Sequence, residues 1–430
     1  MQEPHAPNSI RKLLDAAGCA SADELFAEIP DALRHSSPLR LPPRLAERDL
    51  TDRLLGLAAP NTHLDEALCF LGGGVYDRYV PAVVDAVAHA AGPQLVGPGS
   101  AQPLLQVVFE LQAAFAALAG LEAAAAPLAH GPAALAEAVG AAARATGRGQ
   151  AVLARSAHPR YRAIARTLAA GPSLEFREAG YHGGVTRPDE AERALCDDTA
   201  CLVVQQPNYF GCLEDVGALA RAAGRHGALL VVLADPVAMG VLVPPGEAGA
   251  DIAVCDSQPL GSRPAYGSGS VGLLACRPPL LDHLGGWRVE RQGRGFEALG
   301  ATQGPVRLDR VVRPLAYLAA VGAEGLARAA RLSMGLAHEA QRRVCAVEGF
   351  DPRFRASFFS EFVVESRFPP AAVAEELLES NILGGRDLQP DYPEMEHCML
   401  FAVTERRTQG DVDMLCHALE LMAETGAEVE

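Results

Sequence analysis

Few side chains in this sequence can carry out covalent chemistry with carbonyl compounds. Lysine occurs once, at Lys12, so 36 of the 37 basic residues are arginine. A lysine amine held in a cleft is the group that forms a Schiff base with a carbonyl substrate or cofactor. The chain by itself is therefore not expected to form an internal Schiff base, and we assign it no catalytic nucleophile.

Two positions stand where a small charged ligand can be held. Asp235 ends an apolar run that begins at Leu229, and His130-Gly131 precedes an Ala-rich stretch that predicts a helix over 133–145. Backbone N–H groups at a helix start can bind a phosphate, although Pro132 removes one donor here. Each position also has a structural interpretation, because Asp235 can cap the turn that follows its strand and His130 can cap the helix.

The ten cysteines do not form a metal-binding pattern. They are scattered along the chain, several of them inside apolar runs such as 251–255 and 271–276, and none forms a C-x-x-C pair. Buried cysteines of this kind behave as small apolar side chains. We expect no metal site, a reducing compartment and a cytoplasmic location.

The elements that must position these residues alternate along the middle of the chain. Short runs rich in β-branched residues, among them 201–205, 228–234 and 252–255, are separated by helical stretches near 160–170 and 216–226. Near-continuous apolar strands with crossover helices predict an α/β fold whose sheet is mostly parallel and covered on both faces.

The remaining pattern predicts three parts. Residues 1–60 form a helical, Pro-rich arm, 61–315 a large α/β domain, and 316–430 a small C-terminal α+β domain. The alanine run at 123–126 is interpreted as a helix end and turn, and the polar stretch 284–313 as a long functional or interface loop. The apolar helix predicted at 104–119 and the arm segment 30–43 are expected to pack against a partner.

Charge excludes some classes of partner. The 53 acidic and 37 basic residues give a net charge of −16, and the chain contains no run of Lys and Arg. Such a protein is repelled by a phosphate backbone and by an anionic lipid surface. We expect neither a nucleic-acid partner nor a membrane partner.

Several segments resemble a known family. Phe70-Leu-Gly-Gly-Gly-Val-Tyr-Asp-Arg-Tyr-Val-Pro-Ala-Val-Val84, Ser156-Ala-His-Pro-Arg-Tyr-Arg162 and Asp198-Thr-Ala-Cys-Leu-Val-Val-Gln-Gln-Pro-Asn-Tyr-Phe-Gly211 are similar to segments of the first, or α, subunit of the two-subunit glycine cleavage P-protein. That family is the pyridoxal-phosphate-dependent glycine decarboxylase, also called glycine dehydrogenase (decarboxylating). The likeness extends from the N-terminal arm to Asn381-Ile-Leu-Gly-Gly385.

The resemblance implies a type I pyridoxal-phosphate-dependent transferase fold and a heterodimer. In this family a homologous β subunit supplies the lysine that binds the cofactor, while the α subunit completes the site without one. The segment Asp256 to Gly261, where the sister subunit presents that lysine, contains none here. Asp235, His130 and Gly131 are then cofactor-site positions that are vestigial or face the interface. The implied reaction releases the carboxylate of glycine as carbon dioxide and passes the aminomethyl group to a lipoyl carrier protein.

Two departures from the family fall in the part that an α subunit lends to the shared site. The family motif Tyr-Thr-Pro-Tyr-Gln aligns without gaps on 93–97, where both tyrosines are missing, and the family's Lys- and Asn-containing segment is replaced by 304–314. The candidate substrate or interface residues are Arg78, Gln94, Gln258, Arg307 and Arg310.

Three hypotheses remain open. The chain is an α-type subunit of a glycine decarboxylase, a paralogue recruited with its own β partner to another amino acid, or a subunit that serves only structure or regulation. A convergence of Arg78, Arg288, Arg307, Arg310 and Arg313 on one cleft would favour a part in chemistry.

Overall fold

The computed structural model describes residues 7–34, 41–91, 101–169, 174–265, 269–300 and 308–427. Gln94, Arg307 and the segment 93–97 lie outside these ranges. The chain divides into two compact units, Met1–Thr62 and His63–Glu430.

The first unit consists of helices α1 (Pro7–Ala17) and α2 (Glu47–Ala58) with two short 3₁₀ helices at Ala22–Phe26 and Asp31–Leu33. None of its residues whose side chains are described is buried within the structure. Leu50, Leu54 and Leu57 recur at helical spacing on α2 and are all exposed. The described part of this unit therefore has no core of its own.

The second unit contains nine helices and fifteen strands in its described part. The helices are α3 (Ala82–Ala91), α4 (Ala101–Ala119), α5 (Gly131–Thr146), α6 (Pro159–Ala169), α7 (Pro188–Ala194), α8 (Val216–Arg225), α9 (Val312–Val344), α10 (Pro370–Glu379) and α11 (Gln409–Ala427). The strands are β1 (Leu68–Cys69), β2 (Ala123–Leu128), β3 (Gln150–Ala154), β4 (Glu175–Ala179), β5 (Thr199–Gln206), β6 (Leu229–Ala234), β7 (Ile252–Asp256), β8 (Gly272–Cys276), β9 (Arg288–Gln292), β10 (Gly295–Leu299), β11 (Phe350–Pro352), β12 (Glu361–Ser366), β13 (Ile382–Leu383), β14 (Arg386–Asp387) and β15 (Cys398–Ala402).

A seven-stranded sheet forms the centre of this unit. Its order is β2-β8-β7-β6-β5-β3-β4, and the strands from β7 to β4 pair in parallel, while β8 is antiparallel to both of its neighbours, β7 and β2. Apolar side chains are packed on both faces of the sheet. The predicted α/β fold with a mostly parallel, doubly covered sheet is confirmed.

The alanine run was interpreted wrongly. Residues 123–128 form edge strand β2, paired with β8 from Ala123↔Cys276 to Leu128↔Gly272. Alanine has the highest helix propensity, but a strand of a sheet that is covered by helices accepts small side chains as well. Tertiary packing therefore overrides the local preference.

The predicted long loop at 284–313 also contains regular structure. β9 and β10 form an antiparallel hairpin in register from Gly295↔Gln292 to Leu299↔Arg288. Gln102 at the start of α4 holds this hairpin, since its side chain donates to the carbonyl of Phe296 and accepts from the same residue's N–H, both at 2.8 Å.

Helix α4 packs into its own unit. By length and composition it could cross a membrane. However, Leu104, Val108, Leu111 and Phe115 on one face are buried in the core of the unit. The expectation that this helix is a partner-packing element is not supported by its position, because its apolar face is already covered.

The C-terminal part builds a second, four-stranded antiparallel sheet in the order β11-β12-β15-β14. Its apolar face packs with α10, α11 and the second half of α9. The short strand β1 pairs in parallel with β13, which joins residue 68 to residue 382. Because α9 runs across residue 315, the predicted domain boundary there stays a prediction.

A glycine holds the two sheets close together. Gly211 has φ +81°, and a Cβ on it would overlap the backbone carbonyl of Glu361 on β12. Gly183 has a similar φ of +62° with open space around it. We expect G211A to lower the free energy of unfolding by about 1–3 kcal/mol more than G183A. Both substitutions place a side chain on a left-handed backbone, but only the one at Gly211 also overlaps a neighbouring carbonyl. Urea unfolding of both variants measures this difference, and equal losses would contradict the close contact.

Candidate functional site

A small cavity lies where the parallel strands end. Gln205 is the next-to-last residue of β5, Asp235 follows β6, and Asp256 ends β7, so the carboxyl ends of neighbouring strands bring these side chains to one edge of the sheet. The cavity has a volume of about 50 Å³. Its walls also include Gly74, Tyr76, His158, Tyr161, Phe359 and Glu361.

His158 is a wall of this cavity that sequence reasoning did not assign. It follows β3, its ring lies 4.7 Å from that of Tyr209 and 5.1 Å from that of Tyr161, and its Nε2 donates to the carbonyl of Gly73 at 2.8 Å. Burial lowers the pKa of His158 to about 4. The imidazole is therefore neutral, with Nδ1 accepting from the N–H of Arg160 at 3.1 Å. The sequence signal that could have identified His158 is the segment 156–162, which resembles the family.

The side chain of Asp235 both caps the turn after β6 and lines the cavity. Its Oδ1 caps the turn after β6 by accepting from the N–H groups of Val237 at 2.7 Å and Ala238 at 3.3 Å. Its Oδ2 lies 3.3 Å from a guanidinium nitrogen of Arg78. This carboxylate is thus neutralised by an internal cation.

Arg78 is a buried clamp between two carboxylates. Its side chain is 1% exposed, and besides Asp235 it binds Glu405 at 2.8 Å. The two carboxylates raise the pKa of Arg78 against the effect of its burial. A guanidinium in this position stays charged and is unable to reach solvent.

The helix start at His130-Gly131 is occupied by groups of the same chain. His130 is exposed and its Nδ1 accepts from the N–H of Ala133 at 3.1 Å, which is the capping role considered above. The N–H of Gly131 donates to Asp256 Oδ2 at 2.8 Å. Pro132 has no N–H.

Gln258 joins the cavity to the glycine-rich segment. Its side-chain amide accepts from the N–H of Tyr76 at 3.1 Å and donates to the carbonyls of Tyr76 at 2.9 Å and Ser262 at 2.8 Å. The hydroxyl of Tyr76 in turn donates to Glu361 at 2.9 Å, and the N–H of Gly73 donates to the other oxygen of that carboxyl at 2.7 Å. These contacts hold the segment 73–76 against both sheets.

Burial raises the pKa of Glu361 to about 7. A buried carboxyl elsewhere, Glu214, is raised to about 7 for the same reason, and it accepts from Ser156, Thr186 and Asn208. Both groups keep their protons to a higher pH in the folded chain than in the unfolded one.

The contribution of these two carboxyls to stability should therefore fall as the pH rises from about 4.5 to about 7, whereas the lowered pKa of His158 acts in the opposite direction below about 6.5. In that window the folded chain binds more protons than the unfolded chain at these two carboxyls, and the stability lost as they ionise is on the order of 3 kcal/mol for each group. E361Q mimics the protonated carboxyl and is expected to flatten this decline and to raise stability at pH 8. E365Q, an exposed change on the same strand, is the control. Urea unfolding at pH 5, 7 and 8 decides, and a profile unchanged in E361Q would contradict the assignment.

The arginines do not gather in one cleft within the described residues. Arg78 binds Asp235 and Glu405, and Arg313 binds Asp85 at 2.7 Å. Arg288 lies near Asp282 and Glu290, while Arg310 is half-buried and outside the cavity walls. Asp235 thus lines the cavity, Arg78, Gln258 and Gly131 bind residues that line it, and Arg310 lies apart. Sequence reasoning missed Tyr76, His158, Tyr161 and Glu361 and gave Asp256 no role.

No group of three or more His, Cys, Asp or Glu side chains in the described ranges is arranged to hold a metal ion.

Comparisons with known proteins agree with this geometry. Residues 3–289 match the glycine cleavage system P-protein family. The probable glycine dehydrogenase (decarboxylating) subunit 1 of Desulforamulus reducens is 34% identical, and that of Carboxydothermus hydrogenoformans 36%, each over 97% of this chain and 98% of the relative. The crystal structure of glycine decarboxylase (P-protein) of the glycine cleavage system, in inhibitor-bound form, is 35% identical with a TM-score of 0.89 over 98% of this chain and 99% of that one.

A more distant structure has the same fold. The sphingosine-1-phosphate lyase of Burkholderia pseudomallei K96243 is 20% identical and superposes with a TM-score of 0.69 over 93% of this chain and 94% of that one.

The order of the central sheet, the small antiparallel sheet and the cavity at the strand ends define a protein of the type I fold of pyridoxal-phosphate-dependent enzymes. Within that class, the chain belongs to the glycine cleavage system P-protein family and is of its α type, the type of the subunit 1 relatives.

Proposed function

We propose that this chain is the cofactor-free subunit of a two-subunit glycine decarboxylase and works by completing a site located mainly in a homologous β-type partner. The observation that carries the proposal is the combination of family membership with a cavity whose carboxylates Asp235 and Asp256 are already bound by groups of the same chain. The subunit 1 names of its relatives support a complex with a second subunit.

Pyridoxal phosphate supplies an electron sink for decarboxylation when it is bound through a lysine and its ring nitrogen is protonated by a carboxylate. The residues present here do not fit it. No lysine follows Lys12, the ring-side carboxylate Asp235 is paired with Arg78, and the N–H of Gly131 is taken by Asp256. The cavity of about 50 Å³ is also smaller than the roughly 150 Å³ that holds one benzene ring.

Exposed apolar side chains offer a surface for the partner. Val75, Tyr79, Val83 and Val87 are between 41% and 61% exposed and lie on the glycine-rich segment and on α3. Val84 of the same helix is buried, so the helix is apolar on both sides. A helix of this kind at the surface is typical of a protein interface.

The reaction and the location that we propose are those that the family implies. Glycine would lose its carboxylate as carbon dioxide in the complex, and the aminomethyl group would pass to the lipoyl disulfide of a carrier protein. All ten cysteines are free in the structure, which supports a reducing, cytoplasmic location.

The test is reconstitution with a β-type subunit from the same organism. We expect the two chains to co-purify and to catalyse exchange of labelled carbon dioxide with the glycine carboxylate in the presence of a lipoylated carrier protein. Neither chain alone should support the full rate. Full activity of the β-type protein alone, or failure of the two to associate, would overturn the proposal.

We also expect borohydride reduction of this chain with pyridoxal phosphate to leave no phosphopyridoxyl adduct on an internal residue. Peptide mass spectrometry measures this directly, with the β-type partner as the positive control. Adducts at the α-amino group or Lys12 would be nonspecific, whereas an adduct elsewhere in this chain would contradict the absence of a cofactor lysine.

One observation favours a second function, decarboxylation of another amino acid by the same kind of complex. The family's two tyrosines are missing at 93–97. A screen of amino acids for carbon dioxide release by the reconstituted complex distinguishes the two substrates.

A further inference from the structure

We infer that the carboxylate of Asp256 occupies the place of a bound phosphate at the start of α5, and that this side chain excludes phosphate monoesters from the chain. The inference rests on the proposed function only where it concerns the cofactor. Its evidence is the contact between Asp256 Oδ2 and the N–H of Gly131 at 2.8 Å.

The start of a helix of 16 residues attracts an anion, because its first N–H groups lack partners and the helix dipole is positive there. In α5 every one of these groups is accounted for. Gly131 donates to Asp256, Pro132 has no N–H, Ala133 donates to the imidazole of His130 and Ala134 to the carbonyl of His130. No backbone donor of the first turn is left for a ligand.

The space around this turn is filled as well. A Cβ placed on Gly131 would overlap the hydroxyl of Tyr161 and would lie 2.7 Å from the Cβ of Asp256. An incoming phosphate must therefore displace Asp256, and Tyr161 limits the room on the same side.

Asp256 is itself held in place by a second contact. Its Oδ1 accepts from the N–H of Gln258 at 2.9 Å. Gln258 makes the three hydrogen bonds to Tyr76 and Ser262 described above. One carboxylate thus ties the helix start to the turn that occupies the lysine-bearing position of the sister subunit, and the turn to the glycine-rich segment.

The charges around the cavity act in the same direction. Asp235, Asp256 and Glu361 all line it, and the guanidinium of Arg78 is already shared between Asp235 and Glu405. A phosphate monoester carries nearly two negative charges near neutral pH, so it is repelled by the Asp256 carboxylate, and the Arg78 guanidinium, already paired with Asp235 and Glu405, is not free to offset that repulsion.

The experiment compares thermal unfolding of the full chain in rising inorganic phosphate with unfolding in chloride at equal ionic strength. We expect the Tm of the wild type to show only the small rise that phosphate, as an excluded kosmotropic salt, gives to folded proteins in general. D256A and D256N remove the internal charge, and both are expected to gain a phosphate-dependent rise in Tm, with phosphate affinity at least about tenfold above that of the wild type. D256N keeps the shape of the side chain, so it provides the measurement if D256A does not fold.

D251A is the matched control. Asp251 stands five residues earlier, accepts from the N–H of Leu230 at 2.8 Å and binds Arg277 at 3.1 Å, away from the helix start. This variant should lose stability without gaining a response to phosphate. A wild-type response equal to that of D256A, or a folded D256N without any response, would overturn the inference.

The same titration with pyridoxal phosphate extends the test to the cofactor's own phosphate. A wild-type chain whose Tm rises with pyridoxal phosphate would again contradict the exclusion. These outcomes are independent of the carbon dioxide exchange assay, so failure here leaves the proposed function standing, and the reverse is also true.

Discussion

Replacing Arg78 by methionine is expected to lower the free energy of unfolding by about 3–5 kcal/mol. The guanidinium is 1% exposed and binds Asp235 at 3.3 Å and Glu405 at 2.8 Å. Removing it leaves two buried carboxylates without their cation, and the loss of this partner costs far more than the pair contributes by itself. Urea unfolding of the full chain at pH 7 measures the loss.

Two further variants identify its cause. R78M/E405Q removes one of the orphaned charges and is expected to recover part of the stability lost in R78M. R313M breaks an ion pair with Asp85 whose partners are 29% and 42% exposed, so it should cost no more than about 1 kcal/mol. An R78M chain as stable as R313M would show that Asp235 and Glu405 find other partners.

The second large effect concerns the shared site. The reconstituted complex is expected to exchange carbon dioxide with glycine about a hundredfold or more slowly than one whose α subunit carries the Tyr-Thr-Pro-Tyr-Gln motif. Each missing hydrogen bond to a charged group is worth about 1.5–3 kcal/mol, and about 1.4 kcal/mol corresponds to tenfold in rate. Two lost tyrosine hydroxyls therefore account for two or more powers of ten.

A graft tests the cause directly. Replacing 93–97 by Tyr-Thr-Pro-Tyr-Gln should raise the exchange rate toward that of the family, whereas Phe-Thr-Pro-Phe-Gln, which restores the rings without the hydroxyls, should recover much less. An ungrafted complex that already exchanges at the ordinary rate would show that the tyrosines are dispensable and that glycine is its usual substrate.

Membership of the α/β class could be predicted from local sequence. The runs 228–234 and 252–255 coincide within one residue with β6 and β7, because β-branched residues in short apolar runs suit a strand buried on both faces. The missing lysine and the family motifs also indicate the correct family from sequence alone. These features depend on residue type and on neighbours in the chain, so they are readable without the fold.

Other features depended on partners distant in sequence. The alanine run forms strand β2 because it pairs with β8, about 150 residues later in the chain. Local propensity does not predict that contact. Asp235 was recognised as a strand-end carboxylate, but its neutralisation by Arg78, 157 residues away, is a property of packing.

The sequence by itself thus determined the class, the family and the absence of a cofactor lysine, all of which are matters of residue type and order. Only the tertiary structure decided what the cavity at the strand ends contains. Asp256 lies 125 residues from Gly131, and Glu361 lies 285 from Tyr76, yet each pair shares a hydrogen bond. A buried donor must find an acceptor somewhere in the fold, and the acceptor that it finds is set by which strand ends and turns the topology brings together.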